Sequence, residues 1–290
     1  MTIKTWWQLL ISLSLGIILS VTSHSLATAE SSPQLAYQIY QRSQYTIHTV
    51  TIPHDSKYIV TPALKEELTS ITDFATEYDA AAVINGGYFD PVNQKTTSHI
   101  IQETKIVADP RFNERLIDNP DLQPYIGKIL NRAEFRRYLC REAIQYDIQL
   151  HSAPVPSNCT LQDTLGGGPA LLPQDTSVAE GFVAYQNGAK IRDAIGFDSP
   201  NARSVIGIKN NGDLILVMAA QKPNLKGNSG ISLPDLANFL VTIDVVKAMN
   251  LDGGSSSSLY YDSQAFYGKL DKDDNQVKRE IKSVLLVIQK

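Results

Sequence analysis

The sequence holds only two cysteines in 290 residues. That leaves one possible disulfide and argues against a thiol-based metal or catalytic centre. Its five histidines show no metal-ligand spacing. No Walker phosphate loop, no HExxH and no GxSxG is present. Neither sign of charge dominates: 26 basic against 30 acidic side chains give a net charge of -4. An overall basic footprint for nucleic acid is thereby excluded. A local cationic pocket for a phosphate is not. Only one run is apolar enough to enter a membrane, and it sits at the N-terminus.

The length suits one large domain or two small ones and can bury a real core. Charged residues at 19%, with 13 Tyr and 8 Phe, argue against global disorder. The N-terminal run reads as an export signal. Lys4 supplies a positive start, residues 6–21 are apolar, and Ala27-Thr28-Ala29 is a small-x-small cleavage site. Residues 1–29 are expected to be removed, leaving no membrane span and a periplasmic or extracellular domain over 30–290. An uncleaved anchor is the alternative, since the segment is just long enough to span a bilayer. Outside the cytoplasm, Cys140 and Cys159 are expected to pair. A loop of that size contributes about 3 kcal/mol in the chain-entropy model.

Residues 45–53 alternate like a strand. Ser70 with Asp73, and Ser232 with Asp235, are capping boxes that start two helices, the second running to about Thr242. Short apolar strands are expected at 81–84, 100–107, 247–251, 259–262 and 283–288. Residues 204–208 and 214–219 flank Lys209-Asn210-Asn211-Gly212-Asp213, a hairpin signal. Residues 109–162 read as a helical insertion closed by the disulfide, with helical spacing over 131–147. The expected class is α+β, with a mixed, largely antiparallel sheet, flanking helices and that insertion. One pattern occurs twice: a capped helix, a short apolar strand, then a Gly-Gly loop with a nearby acid. Two such strand ends, adjacent in one sheet, would build one site whose backbone N–H groups converge on an anion.

The second loop, Asp252-Gly253-Gly254 followed by Ser255 to Ser258, is the most unusual stretch. An acid at the end of a buried strand is costly unless paired or functional. The alternative, a Gly/Ser linker, has no purpose between two strands. The serines lack an evident histidine partner, which argues against a serine triad. In the first loop, Asn85 and Asp90 can bond sugar hydroxyls or ligate a cation, while Gly86, Gly87, Tyr88 and Phe89 can form a turn with a ring to stack on a sugar. Gly166, Gly167 and Gly168 can line a pocket or serve a purely structural turn. Arg203 precedes an apolar strand, and its guanidinium suits bidentate phosphate binding.

Four segments occur in order: 85–90 (NGGYFD), 166–171 (GGGPAL), 202–207 (ARSVIG) and 250–256 (NLDGGSS). Together they make the chain resemble the phosphodiester glycosidase family, over roughly residues 44–288. The resemblance implies cleavage of a sugar from a sugar-1-phosphate diester, and places Asn85, Asp90, Arg203, Asp252, Gly253 and Gly254 on family motif positions. Ser199-Pro200-Asn201-Ala202 stands where the family often has His-Pro before the arginine, and Ser255 where it often has a third glycine. The expected catalytic residues are Asp252, then Asp90, with Arg203. Substrate contacts are expected from Asn85, Gly86, Gly87, Tyr88, Gly167, Gly168, Gly253, Gly254, Ser255 and Ser256. A cofactor is not required; if a divalent cation clamps the phosphate, Asn85, Asp90 and Asp252 are the candidate ligands. The expected partner is a glycan or polymer bearing glycosyl phosphates. A glycan-binding protein without turnover is the alternative function.

Overall fold

The computed structural model describes residues 33–225, 227 and 229–290. The expected export signal over 1–29 lies outside the described residues. All strand pairings in the described residues are antiparallel, and strands far outweigh helices. One six-stranded sheet runs in the order Ala36–Gln41, Tyr45–Ile52, Leu214–Gln221, Arg203–Lys209, Val245–Asn250, Ala170–Leu172. A five-stranded sheet runs Gln264–Tyr267, Ser258–Tyr261, Ala82–Asn85, Ile281–Gln289, Tyr58–Thr69. A second five-stranded sheet runs Lys105–Ala108, Ile100–Gln102, Cys159–Gly166, Ala133–Cys140, Ala143–Leu150. A small hairpin, Val183–Gln186 with Ala189–Asp193, stands apart from these.

The three sheets share one core. Ile206, Leu216 and Met249 of the first meet Ile84 and Leu285 of the second, and Phe135 and Leu165 of the third. Side chains alternate across a strand, so neighbours face the other way. Val205, Val217 and Ala219 therefore pack under helix Leu233–Thr242, against Leu236 and Leu240. Val83 and Leu286 likewise pack under helix Ile71–Glu77, against Ile71 and Phe74. Cover on both faces explains why residues 214–219 read as an unbroken apolar run rather than an alternating one. Both helices begin where the capping boxes predict. Ser70 Oγ accepts from Asp73 N at 3.1 Å, and Ser232 Oγ from Asp235 N at 3.2 Å.

The insertion over 109–162 is strand-built, not helical. Its helices, Glu114–Ile117 and Ile126–Ile129, are four residues each. Residues 133–150 form a hairpin instead. Its helical appearance comes from charges buried among its apolar residues. Arg136, 2% exposed, donates to Glu134 and to the carbonyls of Leu150, His151 and Ala153. Arg137 pairs with buried Asp163. Charges at inward positions hide the period of two. The predicted single strand over 100–107 is also a hairpin, turning at Glu103 and Thr104 with φ of 47° and 70°. That turn carries neither glycine nor asparagine, so nothing in the sequence announced it. Cys140 and Cys159 face each other in neighbouring strands and are joined by a disulfide. No described helix is long and apolar enough to cross a membrane.

Candidate active site

Strands Ala82–Asn85 and Val245–Asn250 each end on an asparagine, and the two ends meet. They lie in different sheets, so the predicted adjacency within one sheet does not hold. The contact runs across the sheets. Asn85 Nδ2 donates to the Asp252 carbonyl at 2.7 Å, and its Oδ1 accepts from Ser204 Oγ at 2.6 Å and Ser258 N at 3.1 Å. Asn250 Nδ2 donates to Tyr88 Oη at 2.7 Å and to the Leu251 carbonyl at 2.7 Å. Asp252 N donates to the Gly86 carbonyl at 3.0 Å. Each corner is thus held by the amide of the other.

A cleft of about 310 Å³ opens at this junction, lined by Tyr88, Asn201, Arg203, Asp252, Gly253 and Gly254. A larger cavity of about 650 Å³ lies between Ile52, Tyr58 and Tyr146, but its Glu142 and Lys290 are exposed and it concentrates no buried charge. The cleft does. Asp252 keeps some exposed surface at its edge, yet protein crowds its carboxyl. Burial pushes that carboxyl up to about 6, against the opposing pull of the Ser256 hydroxyl, the Arg279 guanidinium and the Gly253 N–H. Ser256 Oγ lies near enough to favour the carboxylate, though it meets no partner in full hydrogen-bond geometry. Tyr88 Oη donates to the Gly168 carbonyl at 2.8 Å, and burial raises its pKa far above the usual phenol value. It therefore remains a neutral ring at the wall. Arg132 backs that wall, with its guanidinium 3.7 Å from the Phe182 ring centroid and 5.9 Å from that of Tyr88.

Arg203 is 2% exposed. It donates to four backbone carbonyls: Ile231 at 3.2 Å, Ile195 at 3.0 Å, Gly196 at 2.5 Å and Ser199 at 2.8 Å. A guanidinium has five N–H groups, so one on Nη1 is left. No carboxylate of the described residues pairs with it. The cleft therefore holds a buried positive charge bound by carbonyl dipoles, with Asp193 acting on it only from beyond ion-pair distance, which favours an incoming anion.

Other predicted residues take different places. Asp90 does not line the cleft. It is bound by Arg115 Nε at 2.8 Å and by Val92 N at 2.7 Å; its partial burial works the other way, yet these contacts hold it below the ordinary carboxylate range. Its partner is 25 residues away in sequence, which is why the motif alone misplaced it. Asn85 is fully buried and positions the corner rather than facing a ligand. Gly86, Gly87, Gly167 and Gly168 are buried as well. A Cβ on Gly87 would stand 2.3 Å from the Gly166 carbonyl oxygen, so this glycine is required by close packing. The loop N–H groups expected to converge on an anion are already engaged: Gly86 N with Ser283 O, Gly167 N with Ala133 O, Gly168 N with Asn250 O, Gly253 N with Asp252 Oδ1 and Gly254 N with Ala202 O. Gly254 adopts a positive φ, at 60°. Ser255 binds Arg279. The cation set also dissolves, because Asn85 turns its oxygen to Ser204 and Ser258 while Asp90 turns to Arg115. Among the described residues, no group of three His, Cys, Asp or Glu is placed to hold a metal ion.

Sequence reasoning passed over Asn201, Asn250 and Arg279. Asn250 carried a signal, since it ends an apolar strand as Asn85 does. Arg279 carried none.

The Phosphodiester glycosidase family matches residues 78–288. The chain belongs to that family. Its fold is similar to that of the catalytic domain of zebrafish N-acetylglucosamine-1-phosphodiester alpha-N-acetylglucosaminidase, auto-inhibited there by its pro-peptide. The TM-score is 0.63 at 17% identity, covering 90% of this chain and 85% of that one. A hypothetical protein from Synechocystis is similar at TM-score 0.57 and 16% identity, over 88% of this chain; this chain spans 62% of that one. No curated protein matches the sequence. At such identities the likeness to solved structures carries the fold, and the family match carries the expectation of a hydrolase.

Proposed function

We propose that this phosphodiester glycosidase family member is an exported hydrolase that cleaves the sugar–phosphate bond of a glycosyl-1-phosphodiester. The observation that carries the reading is the pairing, in one cleft, of a carboxyl raised to about 6 with a buried arginine that has no acid partner.

Cleavage at an anomeric carbon passes through an oxocarbenium-like transition state. An alcohol leaves poorly and needs a general acid. A phosphate monoester leaves readily, since its second pKa is about 6. The demand shifts from proton donation to stabilising an anion. Arg203 meets that demand with its field and its remaining N–H. Asp252, ionised at neutral pH, either activates water or attacks the anomeric carbon. Tyr88 offers a neutral ring for the sugar face. With Asp90 committed to Arg115, Asp252 is the one carboxylate among the cleft-lining residues. The disulfide supports an oxidising compartment, periplasmic or extracellular, where the substrate is a glycan or polymer bearing glycosyl phosphates.

The test is release of free sugar from a panel of synthetic sugar-1-phosphodiesters by the purified protein. Asp252→Asn is expected to cut turnover by about 10³-fold or more. For the wild type, kcat/KM is expected to fall as pH drops below about 6, as Asp252 takes up a proton. Binding of diesters by the folded wild-type protein, with no sugar released across the panel, would replace this reading by that of a glycan-binding protein.

A further inference from the structure

The phosphoryl group needs donors, and the turn beside Asp252 has few to spare. Its Gly253 and Gly254 N–H groups are taken, and Arg203 spends four of its five N–H groups on carbonyls. The connection between strands Gln264–Tyr267 and Ile281–Gln289 brings two further cations to the same turn. Lys269 Nζ donates to Asn201 Oδ1 at 3.1 Å, and Asn201 lines the cleft beside Gly254. Arg279 Nη1 donates to Ser255 Oγ at 2.8 Å, and its guanidinium lies 4.9 Å from the Phe89 ring centroid.

Both side chains are half-buried and held by neutral partners. Neither meets a carboxylate of the described residues at ion-pair distance, whereas Lys95, Arg115, Arg137 and Lys247 each do. Of the acids in the same connection, Asp271, Asp273 and Asp274 stay at its exposed tip, and Glu280, next to Arg279, is exposed. At the tip, Asp271 accepts from Asp273 N and Asn275 N, and Asp274 accepts from Asn224 N. The ring of Phe89 and the Ser255 hydroxyl fix the Arg279 plane while leaving most of its fork unused, the arrangement that suits a phosphoryl group. Arg279 pulls on the Asp252 carboxyl without pairing with it, and half-buried cations that have no ion pair gain more from an anion than exposed, paired ones.

We propose that Lys269 and Arg279, held to Asn201 and Ser255 beside the 253–256 turn, form the anion subsite that grips the phosphoryl group. The inference rests on the phosphodiester reading and deepens it. The phosphate is held at the rim by residues from a late connection. Arg203, deeper, anchors the 195–199 segment and supplies the field. The site then discriminates by its aglycone: it takes charged diesters in preference to glycosides with a neutral leaving group.

Binding of inorganic phosphate, followed by ³¹P NMR line broadening, tests this on the wild type, Lys269→Ala, Arg279→Gln and the double variant. Each single change is expected to weaken binding about tenfold, near the loss of one charge-assisted contact. Arg279→Lys is expected to recover part of it. Melting temperatures check that all variants are folded. In turnover, the same changes are expected to raise KM for a methyl glycosyl-1-phosphodiester by a larger factor than KM for a nitrophenyl glycoside of the same sugar. Phosphate binding that is absent in the wild type, or unaltered in the double variant, overturns the subsite. Weakened phosphate binding in variants of a protein that turns over no diester keeps the subsite and removes the hydrolase reading, so the two ideas fail separately.

Discussion

The raised carboxyl of Asp252 has a thermodynamic cost. Its folded pKa of about 6 exceeds the ordinary value of 3.8. Between those values the folded protein holds a proton that the unfolded chain has released. Stability linked to this group is therefore fully present below about pH 4 and is lost as pH rises through 6. Two pKa units correspond to at most about 3 kcal/mol at neutral pH. Asp252→Asn removes the effect. In urea unfolding the variant is expected to be the more stable protein at pH 7 by up to about 3 kcal/mol, with the difference closing near pH 4. A difference independent of pH would mean that the carboxyl is not desolvated. Arg203 presents the opposite case. Arg203→Lys cannot satisfy four carbonyls in one plane, and each orphaned carbonyl costs roughly 1 kcal/mol. A loss of about 2–4 kcal/mol is expected, with faster amide exchange over 195–199. Both residues were legible in the sequence because each is a charge abutting an apolar strand. Their partners were not, since the four carbonyls that hold Arg203 belong to backbone that carries no sequence signature.

At the level of elements, legibility followed local chemistry. Both capping boxes, the hairpin around 209–213 and the two short strands leading into the Gly-Gly loops were readable because their determinants lie within a few residues. The third sheet was not, because Glu134 and Arg136 pair within one strand and Arg137 pairs with Asp163 across strands that the sequence separates. The glycine pair after Asn85 was readable as a turn, but its reason was not. Gly87 is fixed by the Gly166 carbonyl and Ser98, not by a ligand. Gly87→Ala must push backbone against backbone and is expected to cost roughly 1–3 kcal/mol. It should also displace the adjacent Tyr88, so activity is expected to fall further than stability alone explains. Comparing kcat with the unfolding midpoint at 25 °C separates the two. Full activity in the folded variant would show that the wall tolerates movement.

Across the whole molecule, three sheets converge on one interior, and the disulfide clips the third. Strand Cys159–Gly166 carries the bridge at one end and leads at the other into Gly167 and Gly168, behind Tyr88. Eight residues of strand place these ends about 25 Å apart. Cys140→Ser with Cys159→Ser is therefore expected to lower stability by about 3 kcal/mol in denaturant and to leave KM unchanged at 25 °C. A raised KM would mean that the strand transmits the loss to the wall. The reciprocal grip of Asn85 and Asn250 also has a consequence for the order in which competence arrives. Asn85 reaches to residues 252 and 258, and Gly86 N is tied to Ser283 O at 2.7 Å. A chain truncated before its final strand would own both charges and still lack the geometry that unites them. On the hydrolase reading, activity is expected to appear only once the last segment closes.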